Sequence, residues 1–118
     1  MAVSSGAIDR KINATWCGID DRQRAHEALA QYGVERCERE PERVRLAILK
    51  TCEGSIDRLV RLVRAAKQDY RDALVAAEYP EEANASWARR PNLSEEERRR
   101  LAEIRERDRK QYLEWLQD

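Results

Sequence analysis

Apolar residues recur along this chain every three to four positions, and sustained two-residue alternation is absent, so the pattern reads as helix throughout. The strongest stripe runs from Ile56 through Leu59, Val60, Val63, Ala66, Tyr70, Ala73 and Leu74 to Ala77. It predicts one amphipathic helix over 56–78, capped by Ser55 and stopped by Pro80. Before it, Pro41 suits a first helical turn, and Val44, Leu46, Ala47, Ile48 and Leu49 predict a helix over 41–53, apolar on two faces and ending at Gly54. A turn as short as Gly54-Ser55 makes these two a central helical hairpin.

Around that hairpin the pattern is less regular. Asp20-Asp21, a good N-cap pair, opens a helical segment over about 20–32 with Ala25, Leu29 and Tyr32 at helical spacing, which Gly33 stops. Residues 34–40 read as a polar connector. Ile8, Ile12 and Trp16 suit a short helix capped at Ser4 or Ser5, although residues 1–19 also fit a frayed start. Residues 80–93 read as a connector with room for one turn at 81–87. Ser94 and Glu97 form a capping box for a charged helix over 95–116 with a thin stripe of Leu101, Ile104, Tyr112, Trp115 and Leu116. Asp108 interrupts that stripe, so it needs solvent or a partner such as Lys67 or Tyr70. The expectation is a single all-α domain over 1–118, a compact bundle of three to four helices.

Charge refines this picture. Charged residues make up 39% of the 118 positions, far above the roughly 25% of an ordinary domain, so mixed-sign exposed faces are expected. The 23 basic residues are balanced by 23 acidic ones, without the basic excess that phosphate binding favours. Zero net charge also gives little repulsion between copies. No apolar run is long enough for a membrane helix, and residues 1–19 lack a secretory pattern, which points to the cytoplasm. Cys17, Cys37 and Cys52 are odd in number and not closely paired, which suits reduced thiols, and with His26 they lack zinc-site spacing.

Two runs, Glu42-Arg43-Val44-Arg45-Leu46-Ala47-Ile48-Leu49-Lys50 and Asp69-Tyr70-Arg71-Asp72 through Ala76-Ala77-Glu78-Tyr79-Pro80, resemble a group of small uncharacterised bacterial helical proteins. The resemblance covers the middle third of the chain. It implies a bacterial source and a helical fold, and no activity.

Four constellations could carry chemistry. Asp69 and Asp72, near Tyr70, Glu78 and Tyr79, could serve acid–base work or a divalent metal, but alternating Asp and Arg more often make surface ion pairs. Arg58, Arg61 and Arg64, with Lys67, Arg71, Arg89-Arg90 and Arg98-Arg99-Arg100, could grip phosphate, although Asp57 and Glu95–Glu97 interleave with them. Trp87, Tyr112 and Trp115 could be interface anchors or core fillers in a chain without Phe. A cysteine nucleophile would have only His26 as its conventional base. No cofactor motif is present. The leading expectation is a non-enzymatic interaction or adaptor protein, engaging a protein partner or a second copy. Its possible surface is Tyr70, Arg71, Glu78, Tyr79, Trp87, Asp108 and Trp115. A nucleic-acid regulator using the arginine face, and a small carboxylate-based enzyme or metal protein using Asp69, Asp72, Glu78 or Asp108, are the alternatives.

Overall fold

In the computed structural model, residues 5–118 are described; the expected cap at Ser4 or the Ser5 side chain lies outside them. The described residues form seven α-helices and one 3-10 turn joined by turns and short connectors, and none of them is in a strand. The helical class stands; the expected count of three to four helices does not. The chain divides into two compact units, residues up to Leu74 and Val75–Asp118.

The first unit holds α1 (Ser5–Thr15), α2 (Ile19–Ala30), α3 (Pro41–Thr51) and α4 (Ile56–Gln68). Each packs on two others: α1 on α2 and α3, α4 on α2 and α3. Ile8, Ile12, Trp16, Leu29, Tyr32, Val44, Leu46, Ile48, Leu59 and Val63 are buried. Both faces of α3 are buried, as the two-sided apolar pattern requires, and Arg58, Arg61 and Arg64 lie exposed on α4. Ser55 caps α4 by accepting the Arg58 N–H at 3.2 Å. Asp20 and Asp21 sit in the first turn of α2, whose N-cap is Gly18; they favour the positive helix end rather than capping it.

Long cationic side chains close the helix ends from outside. Arg22 of α2 donates to the carbonyls of Trp16 (2.6 Å) and Asn13 (3.2 Å) at the end of α1. Arg45 of α3 donates to those of Leu29 (2.9 Å) and Tyr32 (2.6 Å) at the end of α2, and Lys67 of α4 reaches Gln31 O at 2.8 Å. These carbonyls lie at or just past helix ends, where backbone donors run short, and a cation sits at each negative helix end. Part of the high charge content is consumed in this way. Trp16 adds a further tie, its indole N–H donating to Gly54 O at 3.1 Å.

The expected unbroken helix over 56–78 is two helices. α4 ends at Gln68, Asp69 is extended (φ −151°, ψ 102°), and α5 runs Tyr70–Glu78. The cause is local: the Asp69 carboxylate accepts the Arg71 N–H at 3.0 Å and the Arg71 Nε at 3.1 Å, offering the backbone an alternative to continuing the helix.

In the second unit Pro80 starts a new helix, α6 (Pro80–Asn84), followed by the 3-10 turn Ser86–Arg89 and by α7 (Glu95–Gln117). The expected connector over 80–93 is therefore largely ordered into short helical turns, and α6 packs on α7. The capping box forms as expected, with Glu97 N–H to Ser94 Oγ and Ser94 N–H to Glu97 Oε1 both at 3.1 Å. Leu101 and Ile104 are buried.

Candidate interaction surface

The second unit is organised by the break at Tyr79-Pro80. Tyr79 N–H donates to Val75 O at 2.9 Å, Pro80 has no N–H, and Ala83 N–H donates to Tyr79 O at 2.9 Å. Only Glu81 and Glu82 are left with free donors at the start of α6, and both point at Asp108, with N···Oδ1 and N···Oδ2 distances of 3.0 Å. Asp108 is 1% exposed. The stripe-breaking carboxylate is thus partnered, by backbone N–H groups rather than by the side chain of Lys67 or Tyr70, and it carries the negative charge that a helix start favours. One turn on, Gln111 donates to Ala77 O at 3.1 Å, so α7 caps the end of α5 and the start of α6 together. Ion pairs flank this clamp: Arg105 with Glu82 at 3.0 Å, and Arg107 with Glu81 at 2.5 Å. Arg107 holds the Glu81 carboxyl below its ordinary range.

Further along, the Arg100 guanidinium lies 4.9 Å from the Trp87 ring centroid, a cation–π contact. Arg90 donates to Trp87 O at 3.2 Å and pairs with Glu97. Tyr112 and Trp115 stack with centroids 5.7 Å apart. Trp87, Tyr112 and Trp115 are all half-buried.

Two clefts open on this unit. One, of about 530 Å³, is lined by Val75, Tyr79, Glu82, Ala83, Ala88, Arg89 and Arg105. The other, of about 260 Å³, is lined by Glu78, Tyr79, Arg105, Arg109, Tyr112 and Leu113. Tyr79 and Arg105 belong to both. Val75 and Tyr79 are each 40% exposed and Leu113 is 43% exposed, so three large apolar side chains meet solvent along these clefts. In the first unit, exposed Ile19 and Val34 stand near opposite ends of α2, as single surface hydrophobes commonly do.

The first unit has its own polar centre, in the connector 31–40. Glu38 accepts the N–H groups of Gly33 (2.8 Å), Val34 (3.1 Å) and Glu35 (3.4 Å), and Lys67 lies 2.9 Å from its other oxygen. The Lys67 ammonium, helped by the three N–H groups, holds the Glu38 carboxyl down at about 2. Burial and the neighbouring Glu38 charge push the Tyr32 phenol up to about 12; its hydroxyl donates to Arg39 O at 2.8 Å. A small cleft beside this centre is lined by Cys37, Lys67, Asp69, Tyr70 and Arg71 among others. Its acid and base are already engaged, Asp69 with Arg71 and Lys67 with Glu38.

Among the residues expected to form a surface, Arg71 and Tyr79 are exposed, Tyr70, Trp87 and Trp115 are half-buried, and Glu78 and Asp108 are buried. Tyr70 and Arg71 belong to the first unit, the other five to the second. Val75 and Leu113 escaped the sequence reading, and Arg89 entered it only as one of the arginines that could grip phosphate. Their signal is modest: an apolar residue off the buried stripe of a charged helix, and an arginine in a turn.

Among the described residues no group of three or more His, Cys, Asp or Glu side chains is placed to hold a metal ion. His26 Nδ1 is 3.8 Å from Asp9, with both side chains largely exposed. Cys17 and Cys37 are exposed, while Cys52 is buried, donates weakly to Leu49 O at 3.3 Å, and has its thiol pushed up by burial toward the inert protonated form. No described helix is long and apolar enough to cross a membrane. No family model, curated protein or solved structure matches the chain.

Proposed function

We propose that this chain is a non-enzymatic interaction module that docks a protein partner along the apolar strip of its second unit. The observation that carries the reading is the grouping of Val75, Tyr79 and Leu113, each two-fifths or more exposed, along two clefts that share Tyr79 and Arg105. Tyrosine and arginine, with tryptophan, are the side chains enriched at interface hot spots. Removing the remaining surface of these three from water is worth about 1–2 kcal/mol each before the costs of association. The clamp of Asp108 and Gln111 holds the strip rigid, so little ordering entropy opposes binding. A bacterial, cytoplasmic setting with reduced thiols is part of the same proposal, as is a second copy of the chain as the partner.

Co-purification tests it. The wild-type chain should retain a defined protein partner, or run as a dimer by light scattering, and the double variant Tyr79→Ser, Leu113→Ser should lose it while keeping its helical circular dichroism. Retention by the double variant would overturn the reading.

A second reading keeps one supporting observation. Arg58, Arg61 and Arg64 are exposed on α4 and make no ion pair among the described residues, which suits a polyanion. Duplex and single-stranded DNA or RNA titrated across a salt series decides it: no binding at low salt removes it.

A further inference from the structure

We infer that the larger cleft of the second unit selects an apolar segment bearing a carboxylate, an inference that rests on the docking reading above and names the chemistry of its partner. The floor is apolar, made by Val75, Tyr79, Ala83 and Ala88. Its charges do not cancel. Arg105 is neutralised by Glu82 at 3.0 Å, whereas Arg89 spends one Nη2 N–H on Ala83 O at 3.2 Å and makes no ion pair among the described residues. The lining therefore holds two guanidiniums against one carboxylate. Arg89 sits at the end of the 3-10 turn, fastened to α6 by its own hydrogen bond, with its other N–H groups left to meet an acceptor. A guanidinium presents donors in a planar fork matched to the two oxygens of a carboxylate. A cleft of about 530 Å³ accommodates an aliphatic side chain and a neighbouring Glu or Asp at once. The occupant that satisfies both the floor and the uncompensated cation is a segment of a partner protein in which leucine-like and acidic residues adjoin.

The test uses the full chain and defined peptides. N-acetyl-Leu-Glu-Leu-amide and its Gln and Lys counterparts are titrated while backbone amide resonances are followed. The Glu peptide should shift Val75, Tyr79, Ala83 and Ala88 and bind roughly threefold more tightly than the Gln peptide, the scale of one exposed ion pair. Arg89→Gln should abolish that preference, Arg89→Lys should keep part of it, and Arg89→Glu should transfer it to the Lys peptide. Equal binding of the Glu and Gln peptides at these residues would overturn the acidic preference and leave the docking strip intact. Absence of any shift at these residues with every peptide would overturn the inference as well; the docking reading then stands or falls on co-purification with the Tyr79→Ser, Leu113→Ser variant.

Discussion

Replacing Asp108 with alanine strips both acceptors from the start of α6 in one step. The two hydrogen bonds are 3.0 Å long, the acceptor is 1% exposed, and Pro80 leaves no other unsatisfied donor among the first helical residues. A hydrogen bond to a charged group contributes about 1.5–3 kcal/mol net, so the pair bounds the loss at about 3–6 kcal/mol. Glu81 is exposed and Glu82 half-buried, so water replaces part of what is lost, and the expected destabilisation falls to about 2–4 kcal/mol. At about 4 °C per kcal/mol for a chain of this size, the thermal midpoint should drop by roughly 8–16 °C. Asp108→Asn keeps one acceptor but turns an amide N–H₂ toward a backbone N–H, so it should fall within about 1 kcal/mol of alanine. Thermal unfolding by circular dichroism gives the global figure, and amide hydrogen exchange at Glu81 and Glu82 gives the local one. An alanine variant destabilised by less than about 1 kcal/mol, with those two amides as protected as in the wild type, would refute the clamp.

Other consequences are as direct. Glu38 has its folded pKa depressed to about 2, so its stabilisation is complete above the ordinary carboxylate range and is lost as pH falls toward about 2. Glu38→Gln should flatten that acid limb of the thermal midpoint, and Lys67→Met should move the Glu38 carboxyl resonance titration upward. Tyr32, raised to about 12, behaves in the opposite sense: its contribution is present below the ordinary phenol value and is lost as pH rises toward about 12, which an ultraviolet titration against Tyr32→Phe reads out. At Gly33 (φ +98°) an added Cβ would stand 2.7 Å from Pro41 Cβ, so Gly33→Ala should cost at least about 2 kcal/mol in chemical denaturation. Leu59→Ala, at a fully buried position on α4, should cost about 2–5 kcal/mol and fail to restore stability on repacking with Val63→Leu.

The helical class was legible because apolar periodicity is a property of neighbouring residues and survives without knowledge of the fold. The two-faced pattern of α3, the Ser55 cap and the Ser94–Glu97 box are local in the same sense. The break at Asp69 was hidden because no Gly or Pro marks it; the signal was an aspartate placed to cap Tyr70-Arg71-Asp72, masked by an apolar stripe that continues through it. α6 was under-read, although Pro80-Glu81-Glu82 has the composition of a helix start. Asp108 was legible as a residue needing a partner, but the partner lies 27 residues away on the backbone, where no side-chain pattern points to it. The same holds for the cationic caps. Arg22, Arg45 and Lys67 look like surface charge in the sequence, and only the packing of α1–α4 brings each to a helix end. Exposed Val75 and Leu113 were missed because periodicity identifies what is buried and is silent on which apolar residues are left outside.

A photo-reactive amino acid placed at Leu113, with a second placement at Arg61 on α4 as reference, tests the docking strip most directly in living cells. Position 113 should join covalently to one discrete protein, or to a second copy of the chain, while position 61 should not. Labelling of the same species at both positions, or at position 61 alone, would contradict the docking reading.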